Sequence, residues 1–254
     1  MSMNIWLFIM EFIRQREPVF LSQIKGLSDN DIAGLPASLP ASYVEFLRCM
    51  GINSNGYSVF GSTYDHRFVA ITEHLSEYDE DSPPPDRYFP VAIETDESLV
   101  SLENIYLDLK RGDGEDAPLV VLEWGVPFNW QIPKETSDTF NERIVWSVFN
   151  RFQLSSCREQ HVLAMGGTLS PGEGRIALQQ VLTLLQNMGF EAVLPLLGRV
   201  ACLQSGSISI LARVNEESEL LTILLGNNDA KALSKLADQL LAGLPGARRP
   251  HYQK

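Results

Sequence analysis

The sequence predicts an α+β protein: a mixed sheet flanked by helices, followed by a small α/β sandwich on an antiparallel sheet. Three observations lead there. Apolar residues recur at helical spacing near both ends of residues 1–152; short apolar runs between polar turns fill the space between them; and beyond residue 153 a strand, helix, hairpin and helix pattern begins afresh. We read residues 1–152 as one domain and 153–254 as a second, which suits a length of 254 residues.

Over residues 4–16, Ile5, Phe8, Ile9, Phe12 and Ile13 form one face of an amphipathic helix. Ser28 or Asp29 caps a short helix over 27–35. Pro40 suits a first helical turn, since its missing N–H is not needed there. Tyr43, Val44, Phe46, Leu47 and Met50 then share a face, and Gly51 is placed to end the helix in a left-handed conformation. Asn53–Gly56 is turn chemistry, and Tyr57–Gly61 resumes as a strand.

Further short strands are expected at Phe68–Ile71, Tyr88–Ile93, Ile105–Leu109, Leu119–Glu123 and Phe128–Ile132. Pro83, Pro84 and Pro85 demand a loop. A helix over Ser137–Phe152 turns Phe140, Ile144, Val145, Val148, Phe149 and Phe152 inward.

In the second part a strand covers His161–Met165, and Ser170-Pro171-Gly172-Glu173 reads as a capping box opening a helix that Gly189 stops. Strands follow at Arg199–Gln204, Ser207–Val214 and Leu220–Leu225, joined by hairpin turns. The last helix begins near Asn228 or Asp229, and Gly246–Lys254 is a loose polar tail.

Charge narrows the function. The net charge is −12; residues 1–152 hold 11 Lys+Arg against 24 Asp+Glu, a net of −13, whereas residues 153–254 hold 9 against 8. That argues against nucleic-acid binding, which needs clustered bases for phosphate, and suits steering of a basic partner. Cys49, Cys157 and Cys202 form neither a disulfide framework nor a zinc pattern. The run Ile5–Met10 lacks the basic flank of a signal peptide and the length of a membrane span. We therefore expect a cytoplasmic chain without membrane contact.

His66, His74, His161 and His251 have no metal-ligand spacing and read as surface or locally bonded histidines. Gly172-Glu173-Gly174-Arg175-Ile176-Ala177 matches G-x-G-x-x-A formally, but a capping box explains the same residues, and hairpins follow where a nucleotide fold needs a parallel strand. No nucleophile elbow, Walker lysine or zinc-protease motif occurs in the sequence. Neither a catalytic residue nor a cofactor is expected. Trp124, Phe128 and Trp130 follow an acidic loop, as anchors of a binding surface would, although each tryptophan taken singly reads as core.

Leu39, Pro40, Tyr43, Phe46 and Leu47, then Gly56, Tyr57, Phe60 and Gly61, then Pro90–Ile93, Ile105–Leu109 and Pro118–Val121, together resemble the SUKH superfamily over about residues 5–152. That superfamily groups a fungal cell-wall-synthesis regulator with bacterial immunity proteins. The resemblance implies an α+β fold and a non-catalytic protein that neutralises a cognate toxin, often a nuclease or deaminase, by binding it; the acidic charge of residues 1–152 adds that the toxin is basic. It carries no site residue over.

Charge places the partner on Glu77, Asp79, Glu80, Asp81 and Asp86, on Glu94, Asp96 and Glu97, or on Asp113, Glu115 and Asp116. A regulatory scaffold, or a hydrolase with its site in the second part, are the alternative readings.

Overall fold

The computed structural model describes residues 4–78, 86–96, 98–166, 172–215 and 218–250. The chain forms two compact units, Met1–Met10 with Glu17–Arg143, and Glu11–Arg16 with Ile144–Lys254. The division falls earlier than residue 152, inside a helix.

The first unit contains helix α1 (Ile5–Arg16) up to Met10, α2 (Pro18–Leu21), α3 (Asp29–Ala33), α4 (Ala41–Met50), α5 (Phe68–Ser76) and the start of α6 (Phe140–Phe152). Its strands are β1 (Tyr64–Asp65), β2 (Tyr88–Glu94), β3 (Glu103–Asp108), β4 (Pro118–Glu123) and β5 (Lys134–Thr139), in the order β1-β2-β3-β4-β5. The α+β class is as the sequence predicts, but every described pairing is antiparallel where a mixed sheet is expected. The links from β2 to β3 and from β3 to β4 are too short for a parallel crossover, which takes about a dozen residues or more.

Register aligns Phe89, Leu107 and Leu119 on one face. Tyr43 of α4 meets Phe89 there, with ring centroids 5.8 Å apart, and stands edge-on to Phe140 at 5.3 Å. Tyr106, Val120 and Leu122 form the opposite face, packed by Tyr88 and Phe128. Asp108 is buried at the end of β3 and takes a two-pronged contact from Arg87, at 2.8 and 2.6 Å.

Several local expectations give way. Tyr57–Gly61 is not a strand, although Tyr57, Val59 and Phe60 are buried. Asn55 and Gly56 both take positive φ, and the Ser58 hydroxyl bonds within the loop to Gly61, so local bonds replace a ladder. Phe68–Ile71 opens α5, which buries Ile71 and His74 three residues apart.

Phe128–Trp130 is a single 3-10 turn after Pro127, and the strand comes later, as β5. The prolines at 127 and 133 remove ladder donors on either side. The residues expected to start the closing helix at Ser137 belong to β5, and α6 opens instead at a Thr139–Glu142 capping box. Phe8 is 48% exposed, and Trp6 is buried in its place. Gly51 is right-handed; a Cβ there would lie 2.6 Å from the Leu47 carbonyl oxygen, so close packing is what requires glycine.

In the second unit β6 (Glu159–Met165), β7 (Glu191–Ala192), β8 (Val200–Ser205), β9 (Ile208–Asn215), β10 (Leu220–Asn227) and β11 (Ala247–Arg248) form an antiparallel sheet ordered β11-β6-β10-β9-β8-β7. Alternate residues Leu203, Ile210, Ala212, Val214, Leu221, Ile223 and Leu225 pack with α7 (Glu173–Asn187) and α8 (Ala230–Gly243). Asp229 caps α8, accepting from the Lys231 and Ala232 amides.

The other sheet face meets α6 and the end of α1. Arg213 lies over the Trp146 ring at 5.2 Å, Gln153 donates to the buried Ser209 hydroxyl at 2.9 Å, and Arg16 donates to Gln204 at 3.2 Å. These contacts draw α6 into the second unit and move the division ahead of residue 152. Residues 246–250 are not a loose tail: β11 pairs with β6, and Arg249 bonds Asp238 at 2.8 Å.

Candidate protein-binding surface

Strand register sorts the acidic residues into two groups. β2 and β3 pair Tyr88 with Asp108 at one end of the first sheet, and β3 and β4 pair Glu103 with Glu123 at the other. Asp86, Asp113, Glu115 and Asp116 belong to the first end, Glu94 and Asp96 to the second, about 20 Å away by strand rise. Glu77 is exposed just after α5. Asp79, Glu80, Asp81 and Glu97 lie outside the described residues.

Two of these carboxylates are committed internally, which corrects their place in the expected interface. Glu94 is 7% exposed and accepts from the Thr63 hydroxyl at 3.1 Å and from the Thr95 and Asp96 amides at 3.0 Å. Asp116 accepts from the Ser42 hydroxyl at 3.1 Å and the Ala117 and Asn141 amides at 3.0 and 3.2 Å, joining the starts of α4, β4 and α6. Its burial pushes the carboxyl above the usual aspartate range.

Asp113 closes its own turn through the Asp116 and Glu115 amides, and these bonds hold its carboxyl below that range. Asp96 does the same with Ser98. Glu77, Asp86, Asp113 and Glu115 face outward, and Asp96 is half-exposed.

Trp130 carries the clearest departure from a core reading. It is 76% exposed, and Ile132 is 91% exposed. They border a hollow of about 240 Å³ with Val121, Val126, Glu103 and Glu123. Gln131 fixes the segment that presents them: its side-chain amide donates to the Val126 carbonyl at 2.7 Å, and its side-chain oxygen accepts from the Glu123 amide at 2.8 Å. An exposed tryptophan thus stands on a fixed turn beside an aliphatic neighbour and Glu123, while Glu103 is paired with Lys134, which lines the same hollow. Little ordering remains to be done on contact, and aromatic anchors dominate protein–protein interfaces.

Trp124 turns the opposite way, onto the His74 ring at 4.4 Å. His74 Nε2 lies 3.1 Å from the Tyr106 hydroxyl and 3.2 Å from that of Tyr78, and the two hydroxyls are 3.0 Å apart. Burial pulls the imidazole down to about 4 and pushes both phenols up. The cluster is therefore neutral at pH 7, a hydrogen-bonded plug between α5 and β3. His66 is also buried and pulled down to about 4 by burial, with neither ring nitrogen partnered among the described residues. Neither histidine is a surface group, because the apolar residues of α4 and α5 carry them inward.

The glycine-rich opening of α7 holds an internal anion. Glu219 accepts from the Gly172 amide at 2.9 Å and the Gly174 amide at 2.6 Å, and these backbone bonds hold its carboxyl below the usual range. A Cβ on Gly174 would meet Glu219 Oε2 at 2.6 Å and Val214 Cγ1 at 2.5 Å. The glycine pattern thus admits a carboxylate from β10's entry turn; Ser170 and Pro171 of the expected capping box lie outside the described residues.

Among the described residues no group of His, Cys, Asp or Glu is arranged to hold a metal ion, and no helix is long and apolar enough to cross a membrane. Compared with family profiles, curated proteins and solved structures, the chain matches none.

Proposed function

We propose that the chain is a binding protein of the immunity type, which neutralises a basic protein toxin, a nuclease or deaminase, in the cytoplasm without catalysis of its own. The observation that carries this reading is the exposed Trp130–Ile132 pair on its fixed turn, with Glu123 beside it and Glu103 paired with Lys134. The surplus of acidic residues over basic ones in residues 1–152 supports it, since opposite fields speed encounter and set orientation. The SUKH-like residues supply the toxin as the partner class. The anchor is Trp130, which moves the expected contact from the acidic loops to the end of β4 and the turn before β5.

The test is capture of the protein encoded beside this chain's gene. W130A should weaken that complex by about 2 kcal/mol, roughly thirtyfold. Because the side chain is largely solvent-exposed, the thermal midpoint should move little. Charge reversal at the exposed Glu77 and Asp86 should slow association and flatten its salt dependence while changing dissociation less. Full affinity in W130A, or a neighbour that is no toxin, would remove the reading.

A further inference from the structure

The sheet of the second unit has one edge that its own chain leaves open. β11 covers only Ala164 and Met165 of β6, and Glu159–Leu163 have no strand neighbour on that side among the described residues. Which backbone groups point outward there follows from the ladders. The Val214 amide donates to the Arg199 carbonyl at 3.0 Å, towards β8, and no register shift interrupts the pairings from β8 through β9 and β10 to β6. Backbone groups of successive residues point to opposite sides of an antiparallel strand. Carried across the sheet, this alternation makes His161, Leu163 and Met165 bond β10, and turns the N–H and C=O groups of Gln160, Val162 and Ala164 away from it. The Ala247 amide agrees: it goes to the Leu244 carbonyl at 3.0 Å and so leaves Arg248 to bond Ala164.

The outward N–H and C=O groups of Gln160 and Val162 therefore remain, and no backbone bond outside the ladder uses them. The chain's own next residues do not complete the edge. Arg249 is held to Asp238 of α8 at 2.8 Å, and Pro250, which the register would set opposite Val162, has no N–H to donate.

We infer that this edge takes the same edge of a second copy, antiparallel, with a twofold axis at His161. Gln160 of each copy then faces Val162 of the other, both pairs are of the mutually bonded kind, and every outward donor and acceptor is used. A shift of the axis by one residue loses this. It sets Val162 against Arg158, whose amide already donates to the Asn228 side chain at 2.9 Å, or Gln160 against Ala164, which β11 holds. Charge also favours a like partner here. Residues 153–254 hold 9 basic against 8 acidic residues, whereas residues 1–152 carry −13 and repel their own copy. The antiparallel arrangement further lays the exposed Glu159 of each copy towards the exposed Arg248 of the other. So short an edge places the dimer among weak associations.

Sedimentation velocity of the full chain from about 1 to about 300 µM should show monomer giving way to dimer, with a dissociation constant on the order of 10 µM. Cysteine linking in a C49S/C157S background, with the buried Cys202 left in place, reads the register. The two His161 positions form a non-bonded pair with Cα atoms about 4.5 Å apart, within disulfide reach. H161C should therefore link two chains on mild oxidation, and Q160C, which stands opposite Val162 and not opposite itself, should link about tenfold less. V162P removes an N–H that serves no bond within the chain, so it should weaken the dimer about tenfold with an unchanged circular dichroism spectrum. W130A should dimerise as the parent does. A monomer at every concentration, equal linking at Q160C and H161C, or parent-like dimerisation of a folded V162P would overturn the proposal. Growth beyond the dimer would overturn the twofold arrangement, and if V162P fails to fold, the linking comparison decides alone.

Discussion

Tyr43 and His66 of the first unit are buried with polar atoms that make no hydrogen bond among the described residues, and His74 is buried inside a hydrogen-bonded cluster. The Tyr43 hydroxyl sits in the aromatic cluster of Phe46, Phe89 and Phe140 with no hydrogen-bond partner among the described residues. A buried unsatisfied hydroxyl costs about 1–3 kcal/mol, so Y43F should hold or raise stability by about 1 kcal/mol in a urea titration, and a loss would reveal a bond the packing hides. His66 and His74 both have folded pKa values near 4, below the ordinary 6.5. The unfolded chain protonates first as pH falls, so their stabilisation is complete above about pH 6.5. It is lost progressively towards pH 4, at about 3 kcal/mol for each histidine as an upper figure. H66L should remove close to half of that pH dependence and leave stability at pH 7 nearly unchanged. Denaturation midpoints at pH 7 and pH 5 would check it; an unaltered slope would place the acid sensitivity elsewhere. Counting four histidines in the sequence could not reveal this, because helical phase, and not spacing between histidines, takes His74 inward.

At the level of elements, amphipathic helices and hairpin turns were legible because their signal is local. The Pro40–Gly51 helix, the three long strands of the second unit and the Asp229 cap all lie where pattern puts them. Misreadings cluster where short apolar runs admit two answers. Phe68–Ile71 has too few residues for a period, and Phe128–Ile132 looks like a strand only while the prolines on both sides are ignored. The Thr139-x-x-Glu142 box was a usable signal for the true start of α6. The Glu219 latch was not, since its partners lie at Gly172 and Gly174, far away in sequence. E219Q should cost about 1–2 kcal/mol at pH 7 by losing charge-assisted bonds at a helix start. Because the folded carboxyl is depressed, the parent's advantage over E219Q should fade as pH falls below the ordinary range of glutamate. G174A should cost more, since the added methyl displaces the same carboxylate and presses on Val214. Equal stability of G174A and parent would refute the latch.

For the whole chain, charge asymmetry was readable and the assignment of individual acids was not. Counting places Glu94 and Asp116 with Asp113, yet hydrogen bonding turns the first two into internal staples. Likewise, residues 153–254 resemble a self-sufficient sandwich, whereas the second unit also takes Glu11–Arg16 and Ile144 onward. A fragment of residues 153–254 lacks Trp146 and Arg16, the partners of Arg213 and Gln204. It should unfold over a broad transition of low enthalpy, and a sharp calorimetric peak would show that α6 is dispensable. One feature of that sheet bears on the behaviour of many copies together. Its outer strands, β7 and β11, are two residues each, and β11 pairs only with Ala164 and Met165 of the seven-residue β6, so Glu159–Leu163 have no strand neighbour on that side among the described residues. Removing residues 246–254 would extend that open edge through Ala164 and Met165 to the whole of β6, a longer template on which strands of other molecules could add. Light scattering of the shortened chain should rise with concentration and time faster than that of the intact chain, and equal scattering would show that the β11 pairing does not limit strand addition at that edge.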